Sequence, residues 1–145
     1  MSHTREDLDA LTERIIGCAI EVHRALGPGL LESVYRECLA LELNDRDLLV
    51  ATEQRVPVAY KGRRIKSELK LDLLIEGSVL VELKSVDRLH RVHLAQVITY
   101  LKLTGCPAGL LMNFNVTSLR TGLRRLHHPD SYLEQAHSSR RGPDP

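Results

Sequence analysis

The sequence predicts an α/β fold in which helices flank a mixed sheet of about four to five strands. Apolar residues recur at helical spacing in two N-terminal segments and in one later segment. Three strand-like segments lie between them, and a short, wholly apolar run follows the third helix. This order suits one sheet covered by helices. The 145 residues suit a single domain. We place it at residues 1–130 and expect the polar segment 131–145 to be disordered, because it lacks apolar periodicity.

The predicted helices have clear start and stop signals. Thr4 and Asp7 can cap the start of the first helix, and the segment Gly27-Pro28-Gly29 ends it. The predicted bounds of the three helices are residues 4–26, about 30–44 and roughly 89–103. The residues expected to face inward from the second helix are Leu31, Val34, Tyr35, Cys38 and either Leu39 or Leu41.

The predicted strands follow the second helix and then the third. Their expected bounds, in order, are residues 48–60, 63–75, 79–85, 108–114 and 122–127. The turn Lys61-Gly62 joins the first two, and the first three can form an antiparallel meander. The fourth is apolar throughout and is expected to be buried on both faces, and the fifth is expected at the edge of the sheet.

Composition limits the classes of function. Hydrophobic residues make up 43% of the chain and charged residues 27%, values typical of a soluble globular domain. Nineteen acids nearly balance twenty bases, and the net charge of +1 argues against a broad basic surface while allowing a local patch. One Phe, four Tyr and no Trp argue against a stacking platform for single-stranded nucleic acid.

The cysteines and the N-terminus indicate the compartment. Cys18, Cys38 and Cys106 form no C-x-x-C pair, which favours reduced thiols over a zinc site. No apolar run has the length needed to cross a bilayer, and the polar, acidic N-terminus is unlike a signal peptide. We therefore expect a cytoplasmic protein with no membrane partner.

Two acids interrupt the most apolar part of the chain, residues 69–85. Asp72 lies in the second predicted strand and Glu82 in the third, with Lys84 two residues later. Pairing residue 75 with residue 79 keeps the apolar faces of the two strands together and sets Asp72 opposite Glu82. The same alternation places Leu71 on the opposite face of the sheet, together with Leu73.

This acid pair can be read in two ways. Opposed carboxylates with Cβ atoms about 5 Å apart repel each other, unless a divalent cation such as Mg²⁺ lies between them. Lys84 would then hold an anionic substrate beside the cation, which is the outline of a site for phosphodiester hydrolysis. Alternatively, these residues lie on the solvated face of an antiparallel sheet.

Polar residues of the third helix allow the same two readings. Gln96 and Tyr100 lie four residues apart on one helix face, with His93 one turn earlier. They could contact a substrate, or Tyr100 could be a half-buried core residue and Gln96 a surface group. We interpret His23 and His93 as structural hydrogen-bonding residues.

These motifs resemble those of the PD-(D/E)XK nuclease superfamily, particularly its RecB-like branch with Q-x-x-x-Y. The segment "GLLESVY", residues 29–35, is similar to the G-x-x-E-x-x-Y signature of the GxxExxY protein family. Further segments that resemble this family are "EVHRALGPGLLESVY", "PVAYKGRRI", "LDLLIEGSVLVELKSV", "AQVITYLKLTG" and "GLLMNFNV". The resemblance covers about residues 10–127 and implies a restriction-endonuclease-like core.

The resemblance also implies roles for individual residues. The implied metal ligands for Mg²⁺ or Mn²⁺ are Asp72, Glu82, the backbone carbonyl of Leu83 and, in addition, Glu32. Lys84 would be the catalytic lysine, and the implied substrate-binding residues are Gln96 and Tyr100. Tyr35 would buttress Glu32. Taken without the resemblance, Glu32 would instead be an exposed helix residue paired with Arg36.

We therefore expect a metal-dependent nuclease or phosphodiesterase acting on nucleic acid, with DNA as the favoured substrate. The alternative is a nuclease-fold module that binds protein or nucleic acid with little or no turnover. The nearly neutral charge, the few aromatic residues and the lack of an evident DNA-binding extension favour this alternative. Two copies of the chain could also build a substrate groove together, and the sequence leaves the oligomeric state open.

Overall fold

The computed structural model describes residues 4–130, and the predicted tail at 131–145 lies outside them. The elements in chain order are α1 (Arg5–Leu26), α2 (Glu32–Asp45), β1 (Val50–Tyr60), β2 (Arg63–Ile75), β3 (Val79–Lys84), α3 (Arg91–Thr104), β4 (Ala108–Asn113), a 3₁₀ turn (Leu119–Gly122) and β5 (Leu123–His127). The predicted fold class, a mixed sheet of about four to five strands flanked by helices, is confirmed. None of the helices within residues 4–130 combines the length and apolarity needed to cross a membrane.

The five strands form one sheet in the order β1-β2-β3-β4-β5. The strands β3 and β4 are parallel, and the other neighbouring strands are antiparallel. Parallel strands need a crossover connection, which α3 provides. The three-strand meander and the edge position of β5 agree with the sequence prediction. This topology makes β3, which carries Glu82 and Lys84, an inner strand with partners on both sides.

Helices cover both faces of the sheet because the inner strands are apolar on both. One buried cluster joins α1 and α2 to one face and includes Leu73, Val81 and Leu83. A second cluster joins α3 to the other face and includes Leu80 and Leu111. Alternation of side chains along β3 therefore directs Glu82 and Lys84 toward the face that α3 covers, together with Leu80.

The inward face of α2 differs from the prediction at one position, Leu31, and the structure decides between Leu39 and Leu41. Leu31 was expected to face inward but is 75% exposed, whereas Tyr35 and Leu39 are fully buried. Leu31 is the N-cap, with an extended backbone, so helical spacing does not apply to it. Leu41 is 64% exposed, which settles the alternative in favour of Leu39.

The start of α1 agrees with the prediction. The Thr4 hydroxyl accepts a hydrogen bond from the backbone N–H of Asp7 at 3.1 Å. The Asp7 carboxylate in turn accepts one from the backbone N–H of Thr4 at 3.3 Å. This reciprocal capping box satisfies backbone donors that a helix start leaves unpaired.

The register between β2 and β3 confirms the predicted pairing of residue 75 with residue 79, but the predicted pairing of Asp72 with Glu82 is not part of the ladder. Ile75 pairs with Val79 and Leu73 with Val81, and the ladder ends there, before the two acids. Leu71 packs in the cluster with α3, so the expectation that it shares a face with Leu73 is wrong. The alternation breaks where β2 leaves β3 and where Glu53 of β1, between the partners of Leu73 and Leu71, has a positive φ.

We expect the close approach of α3 to β4 to depend on Gly109. A Cβ atom there would lie 2.9 Å from Cγ1 of Val97. Because Val97 is buried and stiff, Gly109→Ala should lower the free energy of unfolding by about 1–3 kcal/mol, as overpacking typically does. The matched control is Gly17→Ala in α1, where the nearest atom is 3.9 Å away, and this change should stabilise by about 0.5–1 kcal/mol. Urea denaturation measures the free energy of unfolding of both variants. Equal changes at the two positions would contradict the close approach of α3 to β4 at Gly109.

Candidate active site

The candidate site lies where β2 separates from β3. The Asp72 carboxylate accepts a hydrogen bond from the backbone N–H of Leu83 at 2.9 Å. Because the ladder between the strands ends at Leu73 and Val81, this carboxylate supplies the acceptor that the next backbone would otherwise provide. Asp72 therefore joins the two strands at the point where they part, beside Glu82.

Glu82 is the most deeply buried acid of the site, with 6% of its surface exposed. Burial, together with the negative charge of Asp72, raises the pKa of its carboxyl from 4.5 to about 8, while Lys84 acts in the opposite direction. Near neutral pH, Glu82 is therefore largely protonated. A cation that binds between the two acids would replace this proton.

Lys84 is the last residue of β3 and points its charge toward the acids. Its Nζ atom lies 3.8 Å from Oε2 of Glu82, and 18% of its side chain is exposed. The ammonium is thus held between the buried pair and solvent. This is the position in which a lysine can meet an anion that approaches the acids from outside.

Arg36 on α2 was not predicted as a site residue, yet it contacts Asp72. One guanidinium nitrogen lies 3.5 Å from Asp72 Oδ1, and the other lies 3.2 Å from Glu53 Oε1. Lys70 also approaches Glu53 Oε1, at 3.3 Å. These contacts correct the alternative in which Arg36 pairs with Glu32.

Glu53 has an unusual backbone conformation at this position. Its φ is 50°, in the left-handed region that non-glycine residues rarely adopt. It lies in β1 between Thr52 and Gln54, whose partners Leu73 and Leu71 flank Asp72. Such conformations cost of order 1–3 kcal/mol and cluster at functional sites. Sequence reasoning had no signal for it, since nothing in "ATEQR" requires a positive φ.

The glycine turn and the start of α2 position Glu32. The Glu32 carboxylate accepts a hydrogen bond from the backbone N–H of Ser85 at 3.3 Å, one residue after Lys84. The Tyr35 hydroxyl donates to the carbonyl of Gly27 at 2.6 Å and accepts from the N–H of Leu30 at 3.1 Å. Tyr35 therefore fixes the turn that presents Glu32, and it acts through the backbone of that turn.

Gln96 and Tyr100 form a pair on α3. The Gln96 amide nitrogen donates to the Tyr100 hydroxyl at 3.0 Å. The Tyr100 ring packs against the buried cluster that contains Leu71 and Leu80. Leu80 precedes Glu82 by two residues, so this pair lies on the same face of the sheet as Glu82.

The two histidines make the structural contacts expected of them. A ring nitrogen of His23 lies 2.8 Å from the carbonyl oxygen of Val116. His93 accepts a hydrogen bond from the backbone N–H of His90 at the start of α3. These contacts agree with the interpretation of both residues as hydrogen-bonding groups of the fold.

The donor set at the acid pair suits a hard divalent cation. Within residues 4–130 there is no group of three or more His, Cys, Asp or Glu residues arranged to hold a metal. Two adjacent carboxylates nevertheless fit Mg²⁺, which commonly takes one or two carboxylates and completes its shell with waters and substrate phosphates. The pair Asp72 and Glu82 has this chemistry.

The sheet brings Asp72 of one strand to the E-x-K segment of the next, and helices cover both of its faces. This arrangement defines an α/β domain of the nuclease-like class. A family model described as the PD-(D/E)XK nuclease superfamily matches residues 9–126, and the chain belongs to this superfamily.

No curated protein matches the chain. The crystal structure of a protein called SSO0001 is similar, with 19% sequence identity and a TM-score of 0.49. The similarity covers 77% of this chain and 59% of that one, so the chain spans less than two thirds of SSO0001.

The raised pKa of Glu82 predicts how stability depends on pH. The carboxyl has a pKa of 4.5 when unperturbed and about 8 in the folded protein, so between these values the folded protein binds more protons than the unfolded chain. The free energy of unfolding should therefore fall as pH rises through this window, by up to about 1.4 kcal/mol per pH unit from this group. Glu82→Gln should remove that contribution, because the amide mimics the protonated acid.

Urea denaturation at several pH values between 5 and 8 measures the difference. Glu21→Gln, a change at an exposed acid of α1, is the control and should follow the wild type. If the free energy of unfolding of Glu82→Gln and of the wild type changes with pH in the same way, Glu82 is not held protonated.

Proposed function

We propose that the protein is a metal-dependent phosphodiesterase that hydrolyses nucleic acid, with DNA as its substrate. The observation that carries this proposal is the acid pair of partly exposed Asp72 and buried Glu82, with the Lys84 ammonium 3.8 Å from Glu82. Membership of a nuclease superfamily supports the same chemistry. Within that superfamily, the spacing of Gly29, Glu32 and Tyr35 supports assignment to the GxxExxY family.

The proposed cofactor is Mg²⁺ or Mn²⁺. Asp72, Glu82 and the backbone carbonyl of Leu83 would hold it, with Glu32 as an additional ligand for the metal or for a water molecule. When bound, the cation supplies charge for the phosphate and lowers the pKa of a water molecule. Glu82 would have to be deprotonated to hold the cation, and Arg36, 3.5 Å from Asp72, would compete with it for that carboxylate.

The acid pair has a cost that the fold alone does not explain. Two carboxyl groups side by side, one of them buried, destabilise a folded domain unless a proton or cation neutralises them. A hydrophobic residue at position 82 would avoid that cost, whereas Asp72 also accepts the backbone N–H of Leu83. The presence of Glu82 beside Asp72 and Lys84 therefore supports a catalytic site more than a scaffold.

Lys84 would act on the substrate itself. Its partly exposed ammonium adjoins the acids, so a phosphate that reaches the site meets a fixed positive charge. A preorganised charge of this kind stabilises the negative charge that develops on the phosphate during hydrolysis. Gln96 and Tyr100 would position the substrate strand from α3 through their amide and hydroxyl groups.

We expect Lys84→Ala to separate chemistry from metal binding. Both acids remain, so Mn²⁺ binding measured by titration calorimetry should survive. The activation barrier for hydrolysis of DNA and RNA should rise by about 3–4 kcal/mol, so the rate should fall a few hundredfold. Lys102→Ala, an exposed lysine of α3, is the matched control and should keep full activity.

We expect Glu82→Ala to abolish both Mn²⁺ binding and cleavage, because it removes a proposed ligand. The melting temperature of each variant without metal checks that it folds. Purified wild-type protein that binds Mn²⁺ but cleaves no single- or double-stranded substrate would contradict the enzyme proposal. That result would support the alternative, a nuclease-fold binding module.

A further inference from the structure

The long hairpin formed by β1 and β2 extends beyond the rest of the sheet. These strands pair from Val50–Ile75 to Tyr60–Arg63, whereas β2 pairs with β3 only from Leu73 to Ile75. Residues 53–70, which we name the hairpin arm, therefore form a two-stranded ribbon without a third strand. A ribbon of this kind is marginally stable by itself, so its length calls for a function.

The hairpin arm has a large excess of positive charge over the rest of the protein. It has two acids, Glu53 and Glu68, and six basic residues: Arg55, Lys61, Arg63, Arg64, Lys66 and Lys70. Its net charge is +4, whereas the whole chain has +1, so the remaining residues carry −3. The nearly neutral total hides this local patch.

Four of the six basic side chains make no ion pair within residues 4–130: Arg55, Lys61, Arg63 and Lys66. All four are exposed. Arg55 lies directly opposite Lys70 across the ladder. Like charges in this position repel each other, and an anionic partner would relieve the repulsion.

The base of the hairpin arm connects to the candidate active site through a chain of charged contacts. Lys70 contacts Glu53 at 3.3 Å, and Glu53 contacts Arg36 at 3.2 Å. Arg36 contacts Asp72 at 3.5 Å. Lys70 also precedes Asp72 by two residues on the same strand, so a polyanion bound along the arm would reach the acid pair.

We propose that the hairpin arm binds the phosphate backbone of duplex DNA and leads it to Asp72, Glu82 and Lys84. This inference rests on the proposed function for the identity of the partner as nucleic acid. At about 3.3 Å per residue, nine residues from Asp72 to Arg63 span up to about 30 Å, close to one turn of duplex. A two-stranded ribbon also has the width that a major groove admits.

Two other functions could explain a charged arm: protection against aggregation and binding of single-stranded nucleic acid. Both fit its residues less well than binding of duplex DNA does. Charged residues on exposed strands, lysine especially, prevent edge-to-edge aggregation, but half of the six basic residues of the arm are arginines. Binding of single strands usually employs several aromatic residues, and the arm has one, Tyr60. Duplex phosphates match its charge without needing stacking.

The test compares two triple variants of the full chain. The arm variant is Arg55→Gln, Arg63→Gln and Lys66→Gln. The control variant, with the same change in net charge on other surfaces, is Arg24→Gln, Lys102→Gln and Arg120→Gln. Binding of a labelled DNA duplex about three helical turns long is measured by fluorescence anisotropy in EDTA, between about 50 and 200 mM salt.

The control variant should bind like the wild type. The arm variant should bind about one to two orders of magnitude more weakly, and its slope of log affinity against log salt should decrease by about 2 to 3. Arg63→Glu, a single change near the tip, should reduce affinity in the same direction and serves as the second variant if the triple one misfolds.

Equal affinity and salt slope for the arm and control variants would overturn the proposal. Binding of the wild type to vesicles containing phosphatidylserine, but not to duplex DNA, would also overturn it and assign the arm to a membrane surface. Because EDTA prevents metal-dependent cleavage, the result is independent of the proposed activity. Wild-type protein that binds through the arm but never cleaves with Mn²⁺ would refute the activity alone.

Discussion

The structure depends on one interaction, the contact between Asp72 and β3 at the point where β2 leaves that strand. The Asp72 carboxylate holds the backbone N–H of Leu83 and, at the same time, raises the cost of charge on Glu82. The same separation of strands leaves Asp72 partly exposed and frees β2 to continue into the hairpin arm. The site and the arm thus result from one break in the ladder.

The surrounding elements keep that break in place. Tyr35, stacked on Phe114 at 4.5 Å, ties the glycine turn to the core and sets the start of α2. From there α2 delivers Arg36 to Asp72 and Glu53. Arg36 pairs with Asp72 and Glu53, and in the proposed site it would compete with the metal for Asp72.

The apolar pattern was sufficient to predict the sheet and its register. Because a one-residue slip would turn Leu73 and Val81 away from the core, the pairing of β2 with β3 had one acceptable solution. That register brings Asp72 and Glu82 to the end of the ladder, where the bond from the N–H of Leu83 to Asp72 keeps them close. The order of helices and strands likewise predicted the mixed sheet, since β3 and β4 are joined by a helix.

The remaining features depend on where the ladder ends, which apolar alternation does not encode. The packing of Leu71 beside α3 and the positive φ of Glu53 both occur at this end. Arg36 was misassigned because helical neighbours suggested Glu32, whereas its partners come from strands distant in sequence. The arm was missed because net charge averaged over the chain conceals a segment of +4.

The central claim is that the Asp72 and Glu82 pair is a cation site. Crystals of the protein soaked with Mn²⁺ at a pH above 8, where Glu82 is ionised, test it most directly through anomalous scattering. We expect one strong peak within about 2 Å of an oxygen of each acid, with Arg36 moved away from Asp72. A map with no peak between the acids, and with Arg36 still beside Asp72, would contradict the claim.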